Sequence, residues 1–82
     1  MGPIHVRFFA QARDMVGCDS LQLDMSSGAT VGDLRRRLAD VHPALAGLLS
    51  RSALAVNRTY AADRHALQGG DEVAVIPPVA GG

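Results

Sequence analysis

The stretch that decides the fold reads Gly70-Asp71-Glu72-Val73-Ala74-Val75-Ile76-Pro77-Pro78-Val79-Ala80-Gly81-Gly82. Gly70-Asp71 is typical of a tight turn, and the apolar residues that follow alternate with their neighbours as in a strand with one buried face. The Pro-Pro pair keeps the backbone extended, and the final glycines carry no Cβ. The sequence therefore predicts a strand that continues into a narrow tail, spanning about 20 Å from residue 77 to residue 82, which fits a close-packed channel.

Two further strands are predicted near the start of the chain. Ile4, Val6 and Phe8 alternate with polar residues, which leaves Phe9 on the polar face of the first strand. A second alternation, over residues 21–25, predicts the second strand. The polar segment 11–19 between them contains a glycine, and we interpret it as the turn region of a wide hairpin.

One main helix is predicted in the middle of the chain. Thr30 and Asp33 have the spacing of a capping box, which begins a helix from about Val31 to Val41. Asp33 is expected to pair with Arg37 one turn later. The apolar stripe predicted to be buried is Val31, Leu34, Leu38 and Val41. Pro43 ends or offsets this helix, and Leu45, Leu48 and Leu49 mark a short second helical turn.

The apolar run 53–56 predicts a buried strand, followed by a turn at 57–59 and a weak strand over about 60–62. The resulting order β-β-α-β-(β)-β predicts an α+β fold of the ubiquitin-like β-grasp type. It has a mixed sheet of four or five strands on one main helix plus a short second helix, with the first and last strands central and parallel. We expect one β-grasp domain over residues 1–76 and its extended Gly-Gly tail over 77–82.

The sheet face turned away from the helix is predicted to bind a protein. Phe9, either Ala74 or Ile76, and Tyr60 fall on that face, beside the root of the tail. Apolar patches on small proteins often mark partner surfaces, and aromatic residues are common anchors there.

The composition narrows the classes of function. Eight arginines oppose seven aspartates and one glutamate, and this zero net charge argues against nucleic-acid binding. Lysine is absent. Genomic composition explains this absence, but a protein with an activated C-terminal acyl group would also gain from having no amines to attack it. A chain of 82 residues is too small for a roomy active site, so it is expected to carry or bind something.

The remaining candidate features point to a cytoplasmic protein without a metal. Cys18 is the single cysteine, so no internal disulfide can form. The three histidines lack ligands at metal spacing, so no metal site is expected. No apolar run is long enough for a membrane span, so no membrane association is expected either.

Three segments of the sequence resemble a known protein family. The segments that carry the resemblance are Val6-Arg7-Phe8-Phe9-Ala10-Gln11-Ala12-Arg13 with Val16-Gly17, Ala55-Val56-Asn57-Arg58-Thr59, and the C-terminal stretch from Gly70 to Gly82. They are similar to the small, sulfur-carrying subunits of molybdopterin synthase over nearly the full chain. The most specific element is the Gly-Asp-Glu-Val strand leading through Pro-Pro-Val to Gly-Gly.

This resemblance implies a sulfur carrier for molybdenum-cofactor synthesis. The Gly82 carboxylate would be adenylated with ATP by a ubiquitin-activating-type adenylyltransferase and then converted to a thiocarboxylate by a sulfur donor protein. The tail, with Gly81 allowing its insertion, would enter the large synthase subunit and give sulfur to cyclic pyranopterin monophosphate. Two carriers and two large subunits would form a heterotetramer. The resemblance places Phe9, Tyr60 and Ile76 on the large-subunit interface, with the tail residues Pro77, Pro78, Val79 and Ala80. The carrier itself would bind no cofactor and would not be an enzyme on its own.

Three alternatives stay open from the sequence. A carrier for thiamine synthesis, cysteine synthesis or tRNA thiolation would share the fold and the Gly-Gly end. A protein modifier would form an isopeptide bond with a lysine instead. A β-grasp interaction module would use the sheet face and ignore the tail.

Overall fold

A computed structural model describes residues 2–78 of the chain. The strands are β1 (Pro3–Phe8), β2 (Ser20–Asp24), β3 (Ala53–Val56), β4 (Thr59–Tyr60) and β5 (Glu72–Ile76). The helices are α1 (Ala10–Val16), α2 (Val31–Val41) and α3 (Ala46–Leu49), with a 3-10 turn over Pro43–Leu45 before α3.

The five strands form one mixed sheet in the order β2-β1-β5-β3-β4. β1 and β5 are central and parallel, and the other neighbouring pairs are antiparallel. This arrangement confirms the predicted β-grasp, including its central parallel pair. The weak fourth strand is also present, although it comprises only two residues and begins one residue earlier than predicted.

The helices and the buried sheet face enclose a single apolar core. Alternate residues of the central strands contribute to it, among them Val6 and Phe8 of β1 and Val75 of β5. Leu34 and Leu38 of α2 cover these side chains from one face of the sheet. Burial of aliphatic side chains stabilises a fold by about 1.5–3 kcal/mol each, so this layer holds the sheet and helix together.

The segment 11–19 was predicted as a turn, and this prediction is wrong. Helix α1 occupies most of it and ends at Gly17, whose φ of 83° is the left-handed conformation of a helix C-cap. Ala12 faces the core and is fully buried, while the rest of α1 is largely exposed. A short helix with one small buried residue shows little apolar periodicity, which is why the pattern suggested a loop. Residues 2–78 therefore form three α-helices instead of the two that were predicted.

The predicted stripe of α2 is correct for three of its four residues. Val31, Leu34 and Leu38 are buried, but Val41 is 41% exposed. Val41 is the last residue of the helix, and Leu45 and Leu49 of the following turns fill the core beside it. The end of α2 therefore lies at the edge of the core.

Both predicted bonds of the capping box are present at the start of α2. The Thr30 N–H donates to Asp33 Oδ2 at 2.9 Å, and the Asp33 N–H donates to Thr30 Oγ1 at 3.2 Å. The expected ion pair with Arg37 is absent from residues 2–78, because Asp33 pairs with Arg36 at i,i+3 instead. Both spacings bring side chains together on a helix, so the sequence could not choose between them.

Gly32 lets the start of α2 approach the connection between β4 and β5. Its N–H donates to the Asp63 carbonyl at 2.8 Å, and a Cβ added at Gly32 would lie 3.2 Å from Asp63. The side chain of Asp63 in turn accepts hydrogen bonds from Arg35 of α2. This connection is thereby fixed against the helix, and it leads into the central strand β5.

Candidate functional site

The open face of the sheet carries a shallow groove with two alanines at its floor. The register places Arg7 of β1 beside Ala74 of β5, Ala74 opposite Ala55 of β3, and Ala55 opposite Tyr60 of β4. These four side chains form one row across the sheet, because residues paired across strands lie on the same face. Two methyl groups in the centre, between an arginine and a tyrosine, leave a depression.

Phe9 and Ile76 lie at the end of the groove from which the tail leaves. Phe9 follows β1 with an extended backbone (φ −127°, ψ 154°), and Ala10 then turns the chain with a φ of 51°. This change of direction begins α1 and leaves the Phe9 ring on the open face, 41% exposed. Phe8 faces the other way, is buried, and contacts the His42 ring edge-on at 6.5 Å between centroids. The two neighbouring phenylalanines therefore have different environments.

The groove has a volume of about 490 Å³ and an apolar centre with charged groups at its border. Its lining residues are Arg7, Phe9, Ala55, Arg58, Tyr60, Glu72, Ala74 and Ile76. Tyr60 is the most exposed large hydrophobic side chain described, at 71%. An exposed aromatic beside a concave apolar floor is typical of a protein-binding surface.

Arg7 is held in place by two neighbours on the open face. Its Nη1 lies 3.9 Å from Glu72 Oε2, and its guanidinium carbon lies 5.5 Å from the centroid of the Phe9 ring. Both charged side chains are about half exposed, so the ion pair contributes about 0–1 kcal/mol. The cation–π contact orients the Phe9 ring over the same side of the groove.

The turn between β3 and β4 forms the far border of the groove. Asn57 and Arg58 both have positive φ, 49° and 72°, as in the tight turns that join antiparallel strands. Asn57 connects this turn to β5, since its Oδ1 accepts from the Glu72 N–H at 3.0 Å and its N–H donates to the Glu72 carbonyl at 2.8 Å. The position of Arg58 is therefore fixed relative to the central strand.

Among residues 2–78, the one clearly shifted pKa lies outside the groove, at the start of α2. Hydrogen bonds from the Thr30 N–H and hydroxyl lower the pKa of Asp33, and Arg36 lowers it further. Asp33 therefore belongs to the helix cap, on the side of the sheet that α2 covers.

The structure brings three of the predicted interface residues together. Phe9, Tyr60 and Ile76 line the same groove, as the strand alternation predicted. Pro77 is half-buried and Pro78 exposed where the chain leaves β5. The other predicted site residues, Val79, Ala80, Gly81 and Gly82, lie outside the described residues.

Arg58 and Ala55 are groove residues that were not predicted from the sequence. The available signal for Arg58 was Asn57, which tolerates positive φ and here begins a two-residue turn after a strand. Ala55 carried no signal of its own, because its outward direction follows from its pairing with Ala74.

The described residues form a binding surface without reactive groups arranged for catalysis. Within residues 2–78, no three histidine, cysteine or acidic side chains are close enough to hold a metal ion. No helix in that part of the chain is long and apolar enough to cross a membrane. The groove can bind an apolar surface, but its lining contains no nucleophile beside a general base.

Comparison with known proteins shows that this chain is similar to sulfur carrier subunits and to a small modifier protein. The ThiS family model matches residues 6–82. The molybdopterin synthase sulfur carrier subunit of Escherichia coli is 42% identical over 81 residues, covering 96% of this chain and 99% of that protein. The subunit of the same name from Chlamydomonas reinhardtii is 37% identical over 81 residues, covering 96% and 98%. A crystal structure of small archaeal modifier protein 1 from Haloferax volcanii has a TM-score of 0.87 and 30% identity, covering 96% and 100%.

Proposed function

The chain belongs to the ThiS family, and from this membership we propose that it is the sulfur carrier subunit of a molybdopterin synthase. The relatives named as that subunit carry the proposal, because they are 37% and 42% identical to this chain over 81 residues. The family match to residues 6–82 includes both the groove and the Gly-Gly tail. Relatives that cover nearly the whole chain bear that name in bacteria and plants. The resemblance noted in the sequence led to the same family.

The proposed chemistry takes place at the carboxylate of Gly82. A carboxylate is a poor acyl electrophile, because it is anionic and has no good leaving group. An adenylyltransferase joins it to the AMP part of ATP and releases pyrophosphate. The outer sulfur of a donor-protein persulfide then displaces AMP, and a thiol cleaves the S–S bond of the resulting acyl disulfide, which leaves that sulfur on Gly82 and a disulfide on the donor side. The product is a thiocarboxylate whose sulfur is transferred to cyclic pyranopterin monophosphate. In this scheme the carrier needs no cofactor of its own, and it works in the cytoplasm, where ATP is available.

The proposed partner for sulfur transfer is the large subunit of the synthase. The groove bordered by Phe9, Tyr60 and Ile76 lies at the root of the tail, so a protein that covers the groove also receives the tail. Binding at the sheet face would then hold the thiocarboxylate at a fixed distance from the pterin site. Glycine at 81 and 82 would allow the backbone of the tail to approach the partner protein closely. We propose a heterotetramer of two carriers and two large subunits.

A second candidate function is modification of proteins. The modifier protein from Haloferax volcanii shares the fold at 30% identity, so this fold serves a chain named for modification as well as sulfur carriers. A modifier would transfer the activated Gly82 acyl group to a lysine amine. The present chain contains no lysine, so it cannot modify itself through a lysine side chain.

Intact-mass measurement after activation tests the proposal. The carrier is incubated with ATP, the adenylyltransferase and a sulfur donor, and a variant lacking Gly82 serves as the control. We expect a mass increase equal to replacement of one oxygen by sulfur, dependent on ATP and absent from the control. A lysine-linked conjugate without a thiocarboxylate would favour the modifier, and an unchanged mass would contradict both functions.

A further inference from the structure

Arg58 occupies a backbone conformation that favours glycine. Its φ of 72° lies in the left-handed region, where a Cβ crowds the backbone at a cost that asparagine and glycine largely avoid. The second position of a tight hairpin turn of this kind is usually glycine. An arginine here is therefore unfavourable for the fold, and strained positions of this type concentrate at functional sites.

The surrounding hydrogen bonds hold the turn in this conformation. Besides its two bonds to Glu72, Asn57 donates from Nδ2 to Asp71 Oδ1 at 3.0 Å, and Asp71 Oδ2 accepts from the Gln68 N–H at 2.8 Å. The turn is thus connected to β5 and to the loop before it. Arg58 consequently extends from a fixed backbone at the border of the groove.

The guanidinium of Arg58 has no acidic partner among residues 2–78, and the residue is exposed. The groove lining contains two arginines and one glutamate, and Arg7 is the arginine that pairs with that glutamate. The border of the groove at Arg58 therefore carries an uncompensated positive charge next to an apolar floor.

We propose that Arg58 anchors a carboxylate of the protein partner, next to a bulky apolar partner side chain that lies on the floor between Ala55 and Ala74. The inference rests on the proposed function and specifies the chemistry of the partner surface. Arginine binds a carboxylate through two parallel hydrogen bonds, which fixes orientation as well as charge. The alanine floor leaves room for an aromatic or aliphatic side chain, and the adjacent carboxylate matches the charge of Arg58.

Two occupants of the groove could come from the chain itself, namely a second copy and the chain's own tail. Charge disfavours the second copy, and the direction in which the tail leaves the sheet disfavours the tail. A second copy placed face to face would add another unpaired Arg58 without an acidic partner for it, since the one glutamate of each lining is already beside Arg7. The tail leaves β5 at Ile76, whereas Arg58 lies near Glu72 at the opposite end of that strand. Pro77 and Pro78 extend the chain in its direction of departure and so away from Arg58.

The test compares Arg58→Gly with wild type in binding to the cognate large synthase subunit. Glycine fits the turn without strain, so the melting temperature of the variant should equal or exceed that of wild type. The dissociation constant should rise about tenfold at low salt, as expected for loss of a charge-assisted contact, and by less at high salt. Arg37→Ala is the matched control, because Arg37 is exposed on α2 and the sheet separates it from the groove. Its affinity should stay within about twofold of wild type.

Three results would overturn the inference. These are unchanged or tighter binding by Arg58→Gly, an equal loss of affinity in Arg37→Ala, and a loss that is independent of salt. Charge reversal in Arg58→Glu provides a second measurement, and it should weaken binding more than glycine does. Failure of the wild-type carrier to bind the large subunit would contradict the proposed function itself. If the wild-type carrier binds the large subunit and Arg58→Gly binds it equally well, only the inference about Arg58 is contradicted.

Discussion

Ala74 of β5 lies directly opposite Ala55 of β3, and together they form the floor of the groove on the open face. On the buried face, the next residues of the same strands, Val75 and Leu54, are also paired and belong to the core. The same two strands therefore combine large side chains inside with small ones outside. This asymmetry keeps a concave surface next to a core of buried aliphatic side chains.

Filling the floor should block binding without unfolding the domain. Ala74→Leu adds a larger side chain where the partner is expected to insert one, so we expect affinity for the large subunit to fall by about 2 kcal/mol. Ala46→Leu is the control, since Ala46 is exposed on α3 and does not line the groove. Calorimetric titration measures both variants. Normal binding by Ala74→Leu would show that the floor stays empty in the complex.

Substitution of Phe8 should reduce stability, whereas substitution of Phe9 should reduce binding to the large subunit. Phe9→Asp is expected to weaken large-subunit binding by about 2 kcal/mol or more, because an aromatic anchor is lost and a charge enters an apolar interface. Its melting temperature should change little, since the Phe9 ring lies outside the core. Phe8→Ala should instead lower the free energy of unfolding by about 3–5 kcal/mol. An unfolded Phe9→Asp variant that retained affinity in its folded fraction would assign Phe9 to the core.

Arg35 should be the arginine of α2 on which stability depends. Its side chain is 21% exposed and donates to the Leu49 and Ser52 carbonyls as well as to Asp63. Arg35→Met would leave these carbonyls without their donor, so we expect a loss of about 2 kcal/mol in the free energy of unfolding. Arg36→Met is the matched control, because Arg36 is 73% exposed and pairs only with Asp33 among the described residues. Its effect should stay below about 0.5 kcal/mol. Equal losses in denaturant titrations would contradict this assignment.

The capping box should make stability dependent on pH. Because the Thr30 N–H lowers the pKa of Asp33 in the folded state, its carboxylate stabilises the fold at pH values above its unfolded-state pKa of about 4. This stabilisation is lost as the pH falls from there through the lowered folded-state pKa. The difference in unfolding free energy between wild type and Asp33→Asn should be constant near neutral pH and shrink in acid. A difference that does not change with pH would exclude this contribution.

Much of the fold and part of the site could be predicted from the sequence. Alternation identified the central strands because their two faces differ strongly, and the same alternation placed Phe9, Tyr60 and Ile76 on the open face. Helix α1 was missed, since its burial depends on the single small residue Ala12. The exposure of Val41 depends on which neighbours fill the core beside it. Such features are set by tertiary packing, which a local pattern does not contain.

Parts of the groove could not be predicted from the sequence for the same reason. Arg58 looks like an ordinary turn residue in the sequence, and its strain and position appear only once φ and the hydrogen bonds of Asn57 are known. The depression at Ala55 requires the register between β3 and β5, which brings two alanines together. Pairing across strands is long-range information, so it could not be obtained from either segment alone.

In the proposed mechanism, Gly82 delivers sulfur while the sheet face holds the partner. The most direct test of this mechanism follows the sulfur atom from a carrier whose Gly82 has been chemically converted to a thiocarboxylate with labelled sulfur. This carrier is mixed with the large subunit and cyclic pyranopterin monophosphate, without ATP or activating enzyme. We predict that the label moves to the pterin product and that the carrier returns to an ordinary carboxylate. Label that stays on the carrier in the presence of a bound, active large subunit would contradict this mechanism.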